Sequence, residues 1–281
     1  MLGDLNRHLK TKFPAEILVK IFNTSFNVKR YVKSRAPPPS KKLCRRVFKS
    51  MKISGSMKKK LRISILIGAL FIIATVAYSI GMILLEPILG SSNYLTKVFE
   101  NQNLVIIGVF LVLVDAVAVT GIGVCMYQVL KKHNKVLALG YVGARIVEGA
   151  LFLMTVIPTL TLLTLSHEFV NAGASDAFYY QTLGNVLISV GNSTFLLGYG
   201  LVFAISALIL NFVLYKSKLI PRWLSGWGFI SAAFVFINFL LQSFGIYFFE
   251  FLDFSIAIQE MVFAIWLIVK GFNSEKSSLV G

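Results

Sequence analysis

From about residue 61 onward the chain alternates long apolar blocks with short polar connections, whereas the residues before that point are polar and basic. The apolar blocks fall at roughly 61–85, 103–130, 136–164, 183–214, 223–249 and 254–270. About 20 predominantly apolar residues in helical form cross a hydrocarbon core about 30 Å thick. A helix satisfies its backbone hydrogen bonds internally, so the pattern predicts six membrane-crossing helices and no strands. The third and fourth blocks are longer than a crossing requires. Pro158 lacks an N–H to donate and is expected to kink or end regular helix in the third.

Composition agrees with lipid as the solvent. The 281 residues are 56% hydrophobic and 14% charged, with a mean hydropathy of +0.76, whereas soluble domains carry about 25% charged residues. The net charge of +16 would suggest nucleic acid if it were spread over the chain. It is not: residues 1–62 hold 18 Lys and Arg against Asp4 and Glu16, and the remaining basic and acidic residues balance. The excess is a basic tail ahead of a neutral body, which favours anionic lipid headgroups over nucleic acid as its partner.

The connections also differ in charge. Lys58, Lys59, Lys60 and Arg62 precede the first block, Lys131, Lys132 and Lys135 follow the second, Lys216, Lys218 and Arg222 follow the fourth, and Lys270 and Lys276 follow the last. The other connections carry Lys97 beside Glu86, Glu100, Glu168, Asp176, Glu250 and Asp253. Basic flanks stay on the cytoplasmic side, so both termini are expected in the cytoplasm. The expected organisation is a disordered tail over 1–57, a six-helix all-α transmembrane domain over 58–273 and a short C-terminal tail over 274–281. The tail contains "AEILVKIF", Pro37 to Pro39 and "KKLCRRVFKSMK". Three readings of it stay open: headgroup contact, an organelle-targeting segment, or an over-extended reading frame ahead of Met51 or Met57.

Charge inside the apolar blocks is the candidate chemistry. In "YVGARIVEGA" (141–150), Arg145 and Glu148 are spaced i, i+3 and share a helix face. Asp115 in the second block and Glu260 in the sixth fall at a similar depth. Each such group costs about 2.5–3.5 kcal/mol if it faces lipid at a helix centre. The four are therefore expected to face one another or water, with Arg145 serving Glu148 and an acid from a neighbouring helix. Three acids against one base leave at least one carboxyl holding its proton at neutral pH. A polar lining is expected from Asn185, Asn192 and Tyr199, beside a close-packing stripe of Gly184, Gly191 and Gly198, and from Asn238 and Gln242. Arg222, Trp223, Trp227 and Lys270 are expected to anchor the membrane interface.

His8, His133 and His167 lie in the tail and connections, and Cys44 and Cys125 have no neighbouring ligand, so no metal site, haem or other cofactor is indicated. "TGIGVCM" lacks the lysine of a phosphate-binding loop. No nucleophile is paired with a histidine and an acid. A hydrolase would need Asp115 and Glu260 on one reacting centre, and a non-enzymatic role is favoured.

Three separated stretches, "YVGARIVEGALFLM" (141–154), "KSKLIPRWLSGWG" (216–228) and "IQEMVFAIWLIVKGFN" (258–273), resemble the bacterial membrane-protein family known as domain of unknown function 4386. The resemblance covers roughly residues 61–273, with matching positions at Arg145, Glu148, Pro221, Arg222, Trp227, Glu260, Trp266, Lys270 and Gly271. It implies a multi-pass protein of the cytoplasmic membrane and no established activity. Binding or conduction of a small solute or proton at the buried charges is the leading functional expectation. The alternative is a scaffold or regulatory subunit in which those charges only fix helix packing. Neither names a protein partner or an oligomeric state.

Overall fold

A computed structural model describes the backbone of residues 41–172, 177–246 and 253–273, and side chains over 61–172, 177–246 and 254–273. All regular structure among the described residues is helical: α1 (Lys41–Leu89), α2 (Tyr94–Glu100), α3 (Gln102–Leu130), α4 (Lys135–Ala172), α5 (Ala177–Phe195), a π-helical stretch (Leu196–Phe203), α6 (Ala204–Ser217), α7 (Arg222–Ser243) and α8 (Asp253–Val269). Ser56–Gly281 forms one compact unit, and of the unit Met1–Gly55 the described part is helical backbone from Lys41. The tail expected to lack structure over 1–57 therefore has helical backbone in its final part. The expectations for "AEILVKIF", the Pro37–Pro39 break, Asp176, Glu250 and the tail from 274 lie outside the described residues.

Five helical segments are long and apolar enough to cross a membrane: Leu61–Leu89, Gln102–Leu130, Lys135–Ala172, Ala177–Ser217 and Arg222–Ser243. The sixth apolar block is a helix of 17 residues, about 25 Å long at 1.5 Å per residue. Phe110, Val117, Ile157 and Ile265 are among many large apolar side chains left exposed on the outer faces of the bundle. An aqueous surface does not tolerate such a contiguous apolar band, whereas lipid does.

Local chemistry sets the helix ends. Asn134 Oδ1 accepts the Leu137 N–H at 3.0 Å and so caps α4. Lys218, with φ 54°, takes the left-handed conformation that stops α6, and Pro221 precedes α7 with φ −55°. Pro158 does not end α4, which continues through it to Ala172. It is buried, and a Cβ on Gly191 would sit 3.6 Å from its ring; neighbouring helices let proline persist inside membrane helices.

α4 is the central element, packing on α2, α3, α5, the π-helical stretch and α6. Two glycines let α3 lie close to it. A Cβ on Gly123 would sit 2.8 Å from Arg145 Cβ, and one on Gly149 would sit 3.0 Å from the Ala116 carbonyl oxygen. The expected glycine stripe of α5 does pack closely, with Gly198 against Leu151 and Phe152 and Gly184 against the Tyr94 ring.

The two ends of the bundle differ. At one end Phe272 N donates to Ser64 Oγ (3.4 Å) and Asn273 N to the Leu219 carbonyl (2.9 Å), joining the end of α8 to α1 and to the α6–α7 turn. Lys132 and His133 border the same corner as Leu219 and Asn273. At the other end Tyr94 donates to the Gln181 carbonyl (2.8 Å), and His167 Nε2 meets Gln102 Oε1 (3.1 Å).

Gly149→Leu is expected to push α3 from α4 and destabilise the protein by about 1–3 kcal/mol. Gly143→Ala, at a glycine with nothing within 4 Å of the added carbon, is expected to leave melting essentially unchanged or slightly raised. Thermal unfolding of detergent-solubilised protein distinguishes the two.

Candidate intramembrane charged site

Arg145 is 2% exposed and Glu148 1% exposed. A guanidinium stays protonated at any accessible pH, so burial obliges the surroundings to neutralise it. Arg145 Nη1 donates to Glu148 Oε1 at 3.1 Å, across the i, i+3 spacing of α4. Its Nη2 lies 3.6 Å from Glu260 Oε1 on α8, an ion pair beyond hydrogen-bond length. Nε donates to the Tyr141 hydroxyl at 3.1 Å, one turn earlier on α4. Glu148 Oε2 accepts from Ser206 Oγ of α6 at 3.4 Å.

Rings enclose what the acids leave open. The guanidinium carbon lies 5.7, 5.4 and 5.3 Å from the ring centroids of Phe71, Tyr141 and Phe203, within cation–π range. One side chain of α4 thus holds groups from α1, the π-helical stretch and α8.

Asp115 is arranged differently. It lies near the middle of α3, about 20 Å from either helix end. It is 3% exposed and within the electrostatic field of Arg145, Glu148 and Glu260. Among the described residues its carboxyl has no hydrogen bond and no ion pair. It faces a cavity of about 530 Å³ whose lining includes Arg145, Glu148, Glu260, Tyr199 and Gln242. The cavity runs from these charges to Glu86 near the end of α1 and Gln242 near the end of α7. It therefore extends toward the end of the bundle remote from the basic turns.

One wall is aromatic. Phe195, Tyr199 and Phe203 are spaced four apart, with successive centroids 5.5 and 5.3 Å apart and planes 4° and 11° from parallel. Tyr78 of α1 extends the column, 5.8 Å from Phe195 and 6° from parallel. The π-helical turn explains the alignment. Hydrogen bonds from i to i+5 widen the helix and slow its rotation per residue, so side chains four apart line up more nearly along the axis than in an α-helix. Gly200 lets this widened segment lie against Phe239 of α7.

The other polar positions expected from the sequence are dispersed. Asn192 lines a second cavity of about 330 Å³, which shares Tyr78, Glu86, Phe152 and Phe195 with the first. Asn185 is exposed and lines neither cavity. Asn238 is buried in α7 and is not in the lining of the charged cavity.

Among the expected interface anchors, Trp223 is exposed, Arg222 lies over Tyr215 at 5.4 Å and Lys270 over Trp266 at 4.3 Å. Trp227 is half-buried, and its Nε1 donates to Ser255 Oγ at 3.0 Å. Sequence reasoning missed Phe71, Tyr78, Tyr141, Phe203 and Ser206. The i−4 spacing of Tyr141 from Arg145 and the four-residue spacing of Phe195, Tyr199 and Phe203 were the available signals. No cluster of three or more potential metal-ligating side chains exists among the described residues.

Fold and site together define a multi-pass α-helical membrane protein with an interior charged cavity. It belongs to the family of "Domain of unknown function (DUF4386)", whose model matches residues 66–271. No curated protein and no solved structure matches the chain.

Removing Arg145 alone strands two buried acids. Arg145→Met is therefore expected to cost about 3–5 kcal/mol of stability, whereas Arg145→Met combined with Glu148→Met and Glu260→Met recovers most of the loss. Comparing their thermal melts with wild type checks this.

Proposed function

We propose that this is a six-crossing protein of the cytoplasmic membrane, with both termini on the cytoplasmic side, that binds a small solute or passes a proton at the Asp115 cavity. An even number of crossings is supported by the bonds of Phe272 and Asn273 to Ser64 and Leu219, which bring both ends of the bundle chain to one side. The basic turns lie at that same side, and the positive-inside preference assigns it to the cytoplasm. Lys131 and Lys216 each lie over an aromatic ring one turn back, suited to the boundary between acyl chains and headgroups.

One observation carries the functional reading: a carboxyl at the middle of a span faces a cavity without a partner in the described chain. Such a group costs about 2.5–3.5 kcal/mol at a helix centre, and buried ionisable groups of this kind mark ion, proton and substrate pathways. The remaining three charges support a division of roles. Glu148 and Glu260 share the one positive charge of Arg145 and fix the floor of the cavity. Asp115 keeps its coordinating capacity for something that enters.

A scaffold role draws its support from the same triad, because Arg145 joins groups on four helical segments and would set packing with no solute involved. The two readings part at Asp115. In proteoliposomes carrying an imposed pH gradient, and in thermal melts against a small-solute library, the wild type is expected to show proton flux or ligand stabilisation. Asp115→Asn is expected to lose either while melting close to wild type. A wild type without flux or ligand response that co-purifies with a stoichiometric partner would establish the scaffold.

A further inference from the structure

We propose that the ligand of the Asp115 cavity is an organic cation, a protonated or quaternary amine carrying an aromatic or other apolar body. The inference rests on the solute-binding reading above and gives it a substrate class. Three independent features of the cavity agree on that chemistry.

The first is charge. Among the described lining residues, four carboxyl groups, Glu86, Asp115, Glu148 and Glu260, stand against the single guanidinium of Arg145. That guanidinium is already held by Glu148 at 3.1 Å and Glu260 at 3.6 Å, and three rings lie against it. Carboxyl groups thus outnumber the guanidinium, which favours a cation over an anion as the occupant. Asp115, buried and unpartnered, is the group positioned to meet a positive charge at the inner end, and the exposed Glu86 marks the outer end.

The second is the aromatic wall. Tyr78, Phe195, Tyr199 and Phe203 all border the cavity, with near-parallel planes and centroids more than 5 Å apart. Phe203 already lies 5.3 Å from the Arg145 guanidinium carbon, so this wall is within reach of a cation in the cavity. Ring faces attract cations, most strongly where water is excluded, and recognise quaternary ammonium groups that cannot donate hydrogen bonds. A small inorganic cation would instead require several converging oxygens, and the lining is mostly carbon.

The third is size. About 530 Å³ lies within the roughly 300–1,000 Å³ typical of sites for small organic ligands, and far exceeds the space a proton or bare metal ion uses. Val119 and Ile122 of α3 flank Asp115 on the same wall, giving the apolar body of a ligand a surface beside the carboxyl that holds its charge.

The test uses two probes of equal shape and opposite charge, benzyltrimethylammonium and phenylmethanesulfonate. Each is titrated into the detergent-purified full-length protein, with thermal stabilisation as the readout. The ammonium is expected to stabilise wild type and the sulfonate to have no effect. Asp115→Asn is expected to weaken the ammonium response by roughly tenfold or more. Phe195→Leu, which keeps the charges and removes one ring, is expected to weaken it severalfold and serves if Asp115→Asn does not fold. Stabilisation by the sulfonate in place of the ammonium would overturn the cation assignment while leaving a solute site, centred then on Arg145. An equal ammonium response in wild type and both variants would also overturn it. If neither probe acts while Asp115-dependent proton flux persists, the organic-cation proposal falls and the proton reading stands.

Discussion

A guanidinium that cannot shed its proton is buried in the middle of this bundle, and much of the surrounding architecture accommodates it. Arg145 is held by Glu148 of its own helix, Glu260 of α8 and the Tyr141 hydroxyl, with Phe71 and Phe203 against its faces. Each partner comes from a segment that must arrive at the right depth. Gly123 and Gly149 allow α3 to lie directly against the Arg145 face of α4. Small side chains at these contacts do in lipid what burial of large ones does in water, because helices surrounded by acyl chains gain little from hiding apolar surface and associate through close packing.

With Arg145 paired to Glu148 and Glu260, Asp115 is the ionisable group of the cluster without an ion pair among the described residues. The two acids that pair with the arginine come from α4 and α8, and the third, from α3, faces the space between them and the aromatic column. A cluster that looks like four equivalent groups in the sequence thus separates into an ion-paired triad and one carboxyl with no such partner among the described residues. The cavity therefore has a carboxyl at its inner end, an aromatic side and an outer end near Glu86.

Much of this was legible in the sequence because it depends on composition over long windows. Of the six apolar blocks expected to cross, five are helices of crossing length and the last is a shorter apolar helix, and the pairing of Arg145 with Glu148 and an acid from another helix follows from charge and i, i+3 geometry. What the sequence concealed depends on details that such windows average away. Phe195, Tyr199 and Phe203 read as ordinary apolar residues until a π-helical turn aligns them. Asn185 shares a seven-residue spacing with Asn192, yet it is exposed while Asn192 lines a cavity. The hydrogen bond of Trp227 to Ser255 joins residues 28 apart in the chain, beyond what local spacing shows. Of the kink or end expected at Pro158, the end does not occur, because α4 continues through it.

The claim that Asp115 is open to a negative, water-accessible cavity is tested most directly by chemical labelling at that position. In a Cys44→Ser, Cys125→Ser background, Asp115→Cys would be treated in sealed proteoliposomes of known orientation with methanethiosulfonates carrying either a trimethylammonium or a sulfonate group. The account predicts reaction from the side opposite the basic turns, faster with the cationic reagent than with the anionic one, and slowed by benzyltrimethylammonium. A thiol that reacts with neither reagent, or faster with the sulfonate, would contradict it.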